Sequence, residues 1–282
     1  MNASEYANNA GNILVLPDAV IQIKQLIDSD AASIADVADL ISFDPALTVQ
    51  LLKIANSALY NFPNTIDTVT KAVQVIGTRS VYNLVIAYGV ANAFENIDLS
   101  AIDLDLYWDQ SVNCAILSKY FADELSIAGS ERLFVAGLLH NVGELVVYQL
   151  TPDVASSCRD FSATVSPAAR QYKTLGFTYA DVGAALIKLW GIPEGIWGPI
   201  ENLHNPDLPK SGAQEKQILQ LAYRLTLENV YGDIYRSGSM LDPDYYQQLK
   251  LDLSDVRNAL DHTNLQAMGV LAMFNPGSTS VY

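Results

Sequence analysis

The residues with the most chemical potential in this 282-residue chain sit in Glu131–Leu150, ERLFVAGLLHNVGELVVYQL, around the His140-Asn141 dipeptide. An imidazole can ligate a metal, move a proton or simply hydrogen-bond. On a helix, Ala136, Gly137, Gly143 and Glu144 fall one turn either side of His140. Small residues at those places admit either a closely approaching helix or a ligand. Two readings therefore stand together: a core histidine bonded to a carbonyl or carboxylate, and a metal ligand. The chain has only three histidines, His140, His204 and His262, which is few for a two-metal centre. Cys114 and Cys158 lack metal-type spacing and read as structural, reduced thiols. No glycine-rich phosphate loop, G-x-S-x-G or H-E-x-x-H is present. Asn56-Ser57 reads as a helix C-cap or as part of a recognition surface. Trp108, Trp190 and Trp197 read as packing residues.

Charge narrows the function classes. The formal net charge of −15 repels phosphate backbones and anionic lipids, so neither nucleic acid nor a membrane surface is an expected partner. The uninterrupted apolar runs, such as Leu84–Val90 and Leu145–Tyr148, fall far short of a bilayer span. The first residues, MNASEYANNAGN, lack the basic and apolar regions of a signal peptide, and a cytoplasmic location is expected.

The elements that must position these residues read as helices throughout. Val20, Ile23, Leu26 and Ile27 have helical spacing. Ser33 with Asp36 resembles a capping box, and Asp44-Pro45 is a helix start. Leu47, Leu51, Ile54 and Ala58 then share one face. Gly77 is placed to end the helix Thr68–Ile76. A long helix spans Leu106–Leu125, Ser130 opens the central segment, and Thr178 caps Tyr179–Trp190. Amphipathic helices follow over Gln214–Tyr231 and Ser254–Phe274, with a shorter one in Asp242–Leu251. Residues 1–11 read as a loose tail, the stretch 204–212 as a linker, and the residues after Pro276 as disordered. No strand-like alternation of useful length appears. The expected organisation is all-α: a helical lobe over 12–96, a second over 106–208, and a C-terminal helical extension over 210–275 packing on the second lobe.

Three stretches carry a family resemblance. LPDAVIQIKQLI with ISFDPALTVQLLKIANSALY, then TKAVQVIGTRSVYNLVIA, then ERLFVAGLLHNVGELVVY with FTYADVGAALIKLWGIPEGIWGPIENLH occur in the order of the HDOD family. The chain thus resembles the HDOD family, a bacterial signalling branch of the HD phosphohydrolase superfamily, over about residues 12–208. The resemblance implies a multi-helical bundle of two packed lobes. Active members of the superfamily bind divalent metals through His and Asp side chains, which activate water and clamp a phosphate oxygen. Carried across, the first histidine position is Gln110, the His-Asp pair is His140-Asn141, and the phosphate-seeking lysine is Glu144. A further histidine position is Tyr179, and a later His-His pair is Leu203-His204. An amide oxygen brings no charge to a divalent ion.

The resemblance thus implies a non-catalytic signalling module with a vestigial site at Gln110, His140, Asn141, Glu144, Tyr179 and His204. No metal or other cofactor is expected. A signalling protein or a second copy of the chain is the expected partner. The alternative is a divergent phosphohydrolase using His140, His204 and carboxylates such as Glu144, Asp181 or Glu201. A third reading is a structural adaptor whose old site is filled by packing.

Overall fold

The computed structural model describes residues 1–28, 33–57, 59–94, 97, 102–206, 214–236 and 238–274. The expected linker falls mostly, and the expected disordered tail wholly, outside the described residues. So does most of the stretch 95–105, where the two expected lobes meet. Among the described residues the chain forms helices only, apart from a single bridge between Ser162 and Val165. It divides into two compact units. One comprises Met1–Leu14 and Ile97–Leu265; the other comprises Val15–Asn96 with the chain from Gln266 onward.

The smaller unit is built on α2 (Asp18–Asp28), α3 (Ile34–Ser42), α4 (Pro45–Ala55), α5 (Val69–Ile76) and α6 (Thr78–Asn92). α1 (Ala3–Gly11) belongs to the larger unit. Two N-caps of the smaller unit are those the sequence signals. Ser33 and Asp36 exchange bonds of 3.0 and 3.1 Å, and the Asp44 carboxylate accepts from the Leu47 N–H at 3.0 Å. Leu47, Leu51 and Ile54 are buried, and Ala58, the fourth residue of the expected face, lies outside the described residues. Asn56 is a C-cap and more: its amide donates to the Ile66 carbonyl at 2.7 Å and accepts from the Ile66 N–H at 2.8 Å. The side chain therefore mimics a backbone partner and pins the loop after α4. Gly77 ends α5 at φ +90°, a conformation that side-chain-bearing residues rarely adopt.

The larger unit holds the central segment. α7 (Leu104–Glu124) packs against α8 (Ser130–Leu139) and α14 (Gln214–Val230). α9 (Val142–Leu150) packs against α12 (Tyr179–Leu189). The remaining helices of this unit are α10 (Pro152–Cys158), α11 (Pro167–Leu175), α13 (Glu194–Glu201) and α15 (Pro243–Gln247). The last, α16 (Leu253–Phe274), contributes residues up to Leu265 to this unit and the rest to the smaller one. By length and composition alone Ser130–Leu150 could cross a bilayer, but most of it is buried among neighbouring helices. It is the core of the unit, broken into two helices at His140-Asn141.

The N-terminal residues differ from the expected loose tail. α1 begins at a full capping box, in which the Asn2 N–H donates to Glu5 and the Glu5 N–H to Asn2, each at 2.9 Å. Its buried side, Tyr6, Ala7 and Ala10, lies on α12 and α9. The Tyr6 and Thr151 hydroxyls are 2.8 Å apart, and the Tyr6 ring meets Phe177 edge-on. The physical reason is that two alanines and one tyrosine make a weakly apolar stripe that packing, rather than hydropathy, turns into a docked helix.

Candidate functional site

His140 closes α8 and Asn141 opens α9, so the dipeptide sits in the turn between them. His140 is 2% exposed. Its Nδ1–H donates to the Gly137 carbonyl at 2.6 Å, which leaves the lone pair on Nε2. Nε2 is buried with no hydrogen-bond partner among the described residues. The ring lies edge-on to Tyr223, with centroids 5.6 Å apart, and Tyr223 meets His204 in the same way at 5.0 Å. Burial lowers the His140 imidazole to about 4, partly offset by the Gly137 carbonyl. Burial, then the His140 and Arg224 charges, lowers His204 to about 3. Both imidazoles are therefore neutral at pH 7.

The Asn141 amide is held on the other side of the turn. Its Oδ1 faces the Ser111 hydroxyl at 3.0 Å, and the same hydroxyl faces the Tyr107 carbonyl at 3.0 Å. One hydroxyl proton serves only one of these acceptors at a time. Asn141 Nδ2 is buried without a partner among the described residues.

The small residues flanking His140 serve helix approach. A Cβ on Gly137 would stand 2.6 Å from the Cys114 carbonyl oxygen on α7. A Cβ on Gly143 would stand 2.0 Å from the Tyr179 carbonyl oxygen on α12. Between these two crossings no side chain larger than hydrogen fits.

The other vestigial positions lie elsewhere. Gln110, Glu144 and Tyr179 line a cavity of about 240 Å³ in the larger unit, whose wall does not include His140, Asn141 or His204. The six positions therefore divide into three that line the cavity and three that do not. Gln110 Nε2 donates to the Tyr231 hydroxyl at 2.7 Å. The Tyr179 N–H donates to Gln171 Oε1 at 2.9 Å and its hydroxyl to the Ala155 carbonyl at 3.4 Å. Arg159 approaches Glu144 to 3.8 Å, longer than a hydrogen bond. Burial raises the Glu144 carboxyl to about 7, and Arg159 offsets only part of that. Burial, followed by the Glu144 charge, also pushes the hydroxyls of Tyr107, Tyr179 and Tyr231 up.

Local sequence reading could not find Arg159, Tyr107, Tyr231 or Gln171, because they come from four separate segments. The one available signal was scarcity. With 16 basic against 31 acidic residues, a basic residue placed among carboxylates is worth following.

The residues present do not suit the divalent metals of active HD enzymes. Among the described residues no three His, Cys, Asp or Glu side chains gather into a metal-binding group. His140 offers one nitrogen, Asn141 offers an uncharged oxygen facing Ser111, and the Glu144 carboxyl lines the cavity. A hard divalent cation needs several oxygens with charge among them. Both cysteines are buried and free, and burial pushes the Cys114 thiol up to about 12.

Comparison with known proteins agrees with this architecture. A protein from Treponema pallidum (strain Nichols), uncharacterised, is 28% identical over 223 residues, 77% of this chain. The match takes in 42% of that protein, so the chain spans less than half the length of this curated relative. Among solved structures, a Geobacter sulfurreducens HDOD domain protein of unknown function superposes with a TM-score of 0.73 at 20% identity, covering 96% of both chains. A Shewanella amazonensis SB2B protein whose name proposes a phosphohydrolase gives 0.74 at 22%, covering 95% of this chain and 97% of that one. A Marinobacter aquaeolei VT8 protein whose name proposes signal transduction gives 0.69 at 24%, over 93% of this chain and 59% of that one. At these identities the likeness concerns the fold. The sequence profile of the HDOD domain matches residues 13–206, most of the chain, and the chain belongs to the HDOD domain family.

Proposed function

We propose that this chain is a non-catalytic, cytoplasmic regulatory module that acts by binding, with a protein partner or a small ligand as its signal. The observation that supports it best is the division of the vestigial positions, some on the cavity wall and some off it. His140 and Asn141 are enclosed by Gly137, Ser111 and Tyr223, while the nearest acid of the motif, Glu144, lines a cavity beside Arg159. A hydrolytic centre needs its metal ligands and its water-activating group around one point. The other carboxylates of the alternative phosphohydrolase are committed or exposed. Asp181 accepts from the Thr178 N–H and hydroxyl at 2.7 and 2.8 Å as a helix cap, and Glu201 is exposed.

The test is an assay of the purified chain with p-nitrophenyl phosphate and bis(p-nitrophenyl) phosphate, with Mn²⁺, Fe²⁺ or Zn²⁺ added. Metal content is measured in parallel. The expected result is no turnover above the metal-only blank. Turnover that disappears in His140→Ala, with the helical circular dichroism retained, would overturn the proposal.

A further inference from the structure

The cavity beside Glu144 has a chemistry of its own. Its volume of about 240 Å³ far exceeds what one water molecule needs, ~15 Å³, and suits a small organic group. Three tyrosines, Tyr107, Tyr179 and Tyr231, stand in its wall. The charged residues of the wall are Asp103, Glu144 and Arg159, two acids against one base. Asp103 also accepts from the Leu106 N–H at 3.0 Å as the cap of α7, which leaves its charge in place.

Glu144 is the anomaly. Its side chain keeps only 17% of its exposure, yet among the described residues its carboxyl accepts no hydrogen bond. Among the described residues its one cation is Arg159, which stays 3.8 Å away, keeps 37% exposure and lies 5.8 Å from the centroid of the Tyr148 ring. Buried carboxyls normally collect donors, and a lone one opening into a cavity is short of them. Aromatic walls favour a cation, and a chain of net charge −15 draws cations towards it. An anion would find Arg159 but would also meet both carboxylates.

We propose that this cavity binds a small organic cation, an amine or amidine on a compact aromatic or aliphatic body, with Glu144 as its counter-ion. The donor supplies the hydrogen bonds that the carboxyl lacks, and the tyrosines enclose the apolar body. This assignment rests on the reading of the unit as a binding module and names the class of its ligand.

Three probes of one shape and different charge test it on the full chain: benzylammonium, benzyl alcohol and benzoate. Binding is followed by calorimetry and by thermal shift at about pH 8, where a carboxyl that titrates near 7 is mostly ionised. Benzylammonium is expected to bind saturably, benzyl alcohol more weakly by about tenfold or more, and benzoate not at all. Glu144→Gln, checked for native circular dichroism, is expected to lose the preference for the amine over the alcohol. Equal affinity for amine and alcohol, tighter binding of benzoate, no binding of any probe, or an unchanged preference in Glu144→Gln would each overturn the assignment. Those outcomes leave the module reading standing. Phosphate-ester turnover would sink that reading whichever probe binds.

Discussion

Gly143→Ala is expected to abolish the native fold of the larger unit or to cost it more than ~3 kcal/mol, the top of the usual range for overpacking. The added methyl would lie 2.0 Å from the Tyr179 carbonyl oxygen and 2.8 Å from the Gly183 N–H nitrogen. Both are backbone atoms inside α12, so no side chain can swing aside. The crossing is reciprocal, since a Cβ on Gly183 would meet Val142 at 2.9 Å and the Gly143 nitrogen at 3.1 Å. Helix propensity works the other way, favouring alanine by ~1 kcal/mol, so any loss measures the clash. Gly269→Ala is the control. That glycine is also helical, a methyl placed on it would meet nothing within 4 Å, and the change should be neutral or slightly stabilising. Urea denaturation of both variants reads the difference. A Gly143→Ala protein that unfolds at the wild-type midpoint would show that α9 and α12 do not meet as described.

Glu144→Gln is expected to stabilise the protein at about pH 8 by an amount on the order of 3 kcal/mol and to give no such gain near pH 4.5. The sign follows from proton counts. Burial raises the folded-state carboxyl to about 7 from an ordinary 4.5, so between those values the folded protein holds a proton that the unfolded chain has released. Stability contributed by this group is present below 4.5 and is lost as pH rises through 7. Glutamine has no proton to lose and removes that limb.

The histidines act in the opposite sense. His140 is held near 4 and His204 near 3, both below the ordinary 6.5, so the unfolded chain binds protons first as pH falls. Their contribution is complete above 6.5 and is lost towards 4 and below. Wild-type stability should therefore pass through a maximum in the mildly acidic range. In Glu144→Gln only the acid-side loss remains, and the maximum broadens towards alkaline pH. Chemical denaturation at a series of pH values checks this. A constant difference between variant and wild type from pH 4.5 to 8 would refute it.

The local signals of the fold were legible because each is a short-range rule. Asp44-Pro45, Ser33 with Asp36, and Thr178 with Asp181 are caps whose partners lie three residues away or fewer, and all three form. The central stretch reads as helical and folds as two helices meeting at His140. The beginning of the chain was misread because its capping box uses Asn2 and its packing side is mostly alanine. The small residues beside His140 left two meanings open in the sequence. Only the placement of the Cys114 and Tyr179 carbonyls decides between them, in favour of helix contact. The cavity was invisible for a related reason. Glu144, Arg159, Tyr107 and Tyr231 are far apart along the chain, and no periodicity links them.

The division of the chain into units has a consequence for how it is made. The unit that contains the cavity takes its first residues, Met1–Leu14, from before the other unit, and the other unit takes residues from Gln266 onward after it. Each is interrupted in sequence by the other. At a synthesis rate of roughly 5–20 residues per second, α1 emerges about ten seconds or more before α12, its packing surface, has been made. During that interval Tyr6 and its alanines have no native contact, and a helix this short is marginal by itself. The smaller unit receives a contact later still, from the end of α16, where Gln50 donates to the Met273 carbonyl at 2.8 Å. Both units therefore take residues from α16, the last helix to leave the ribosome.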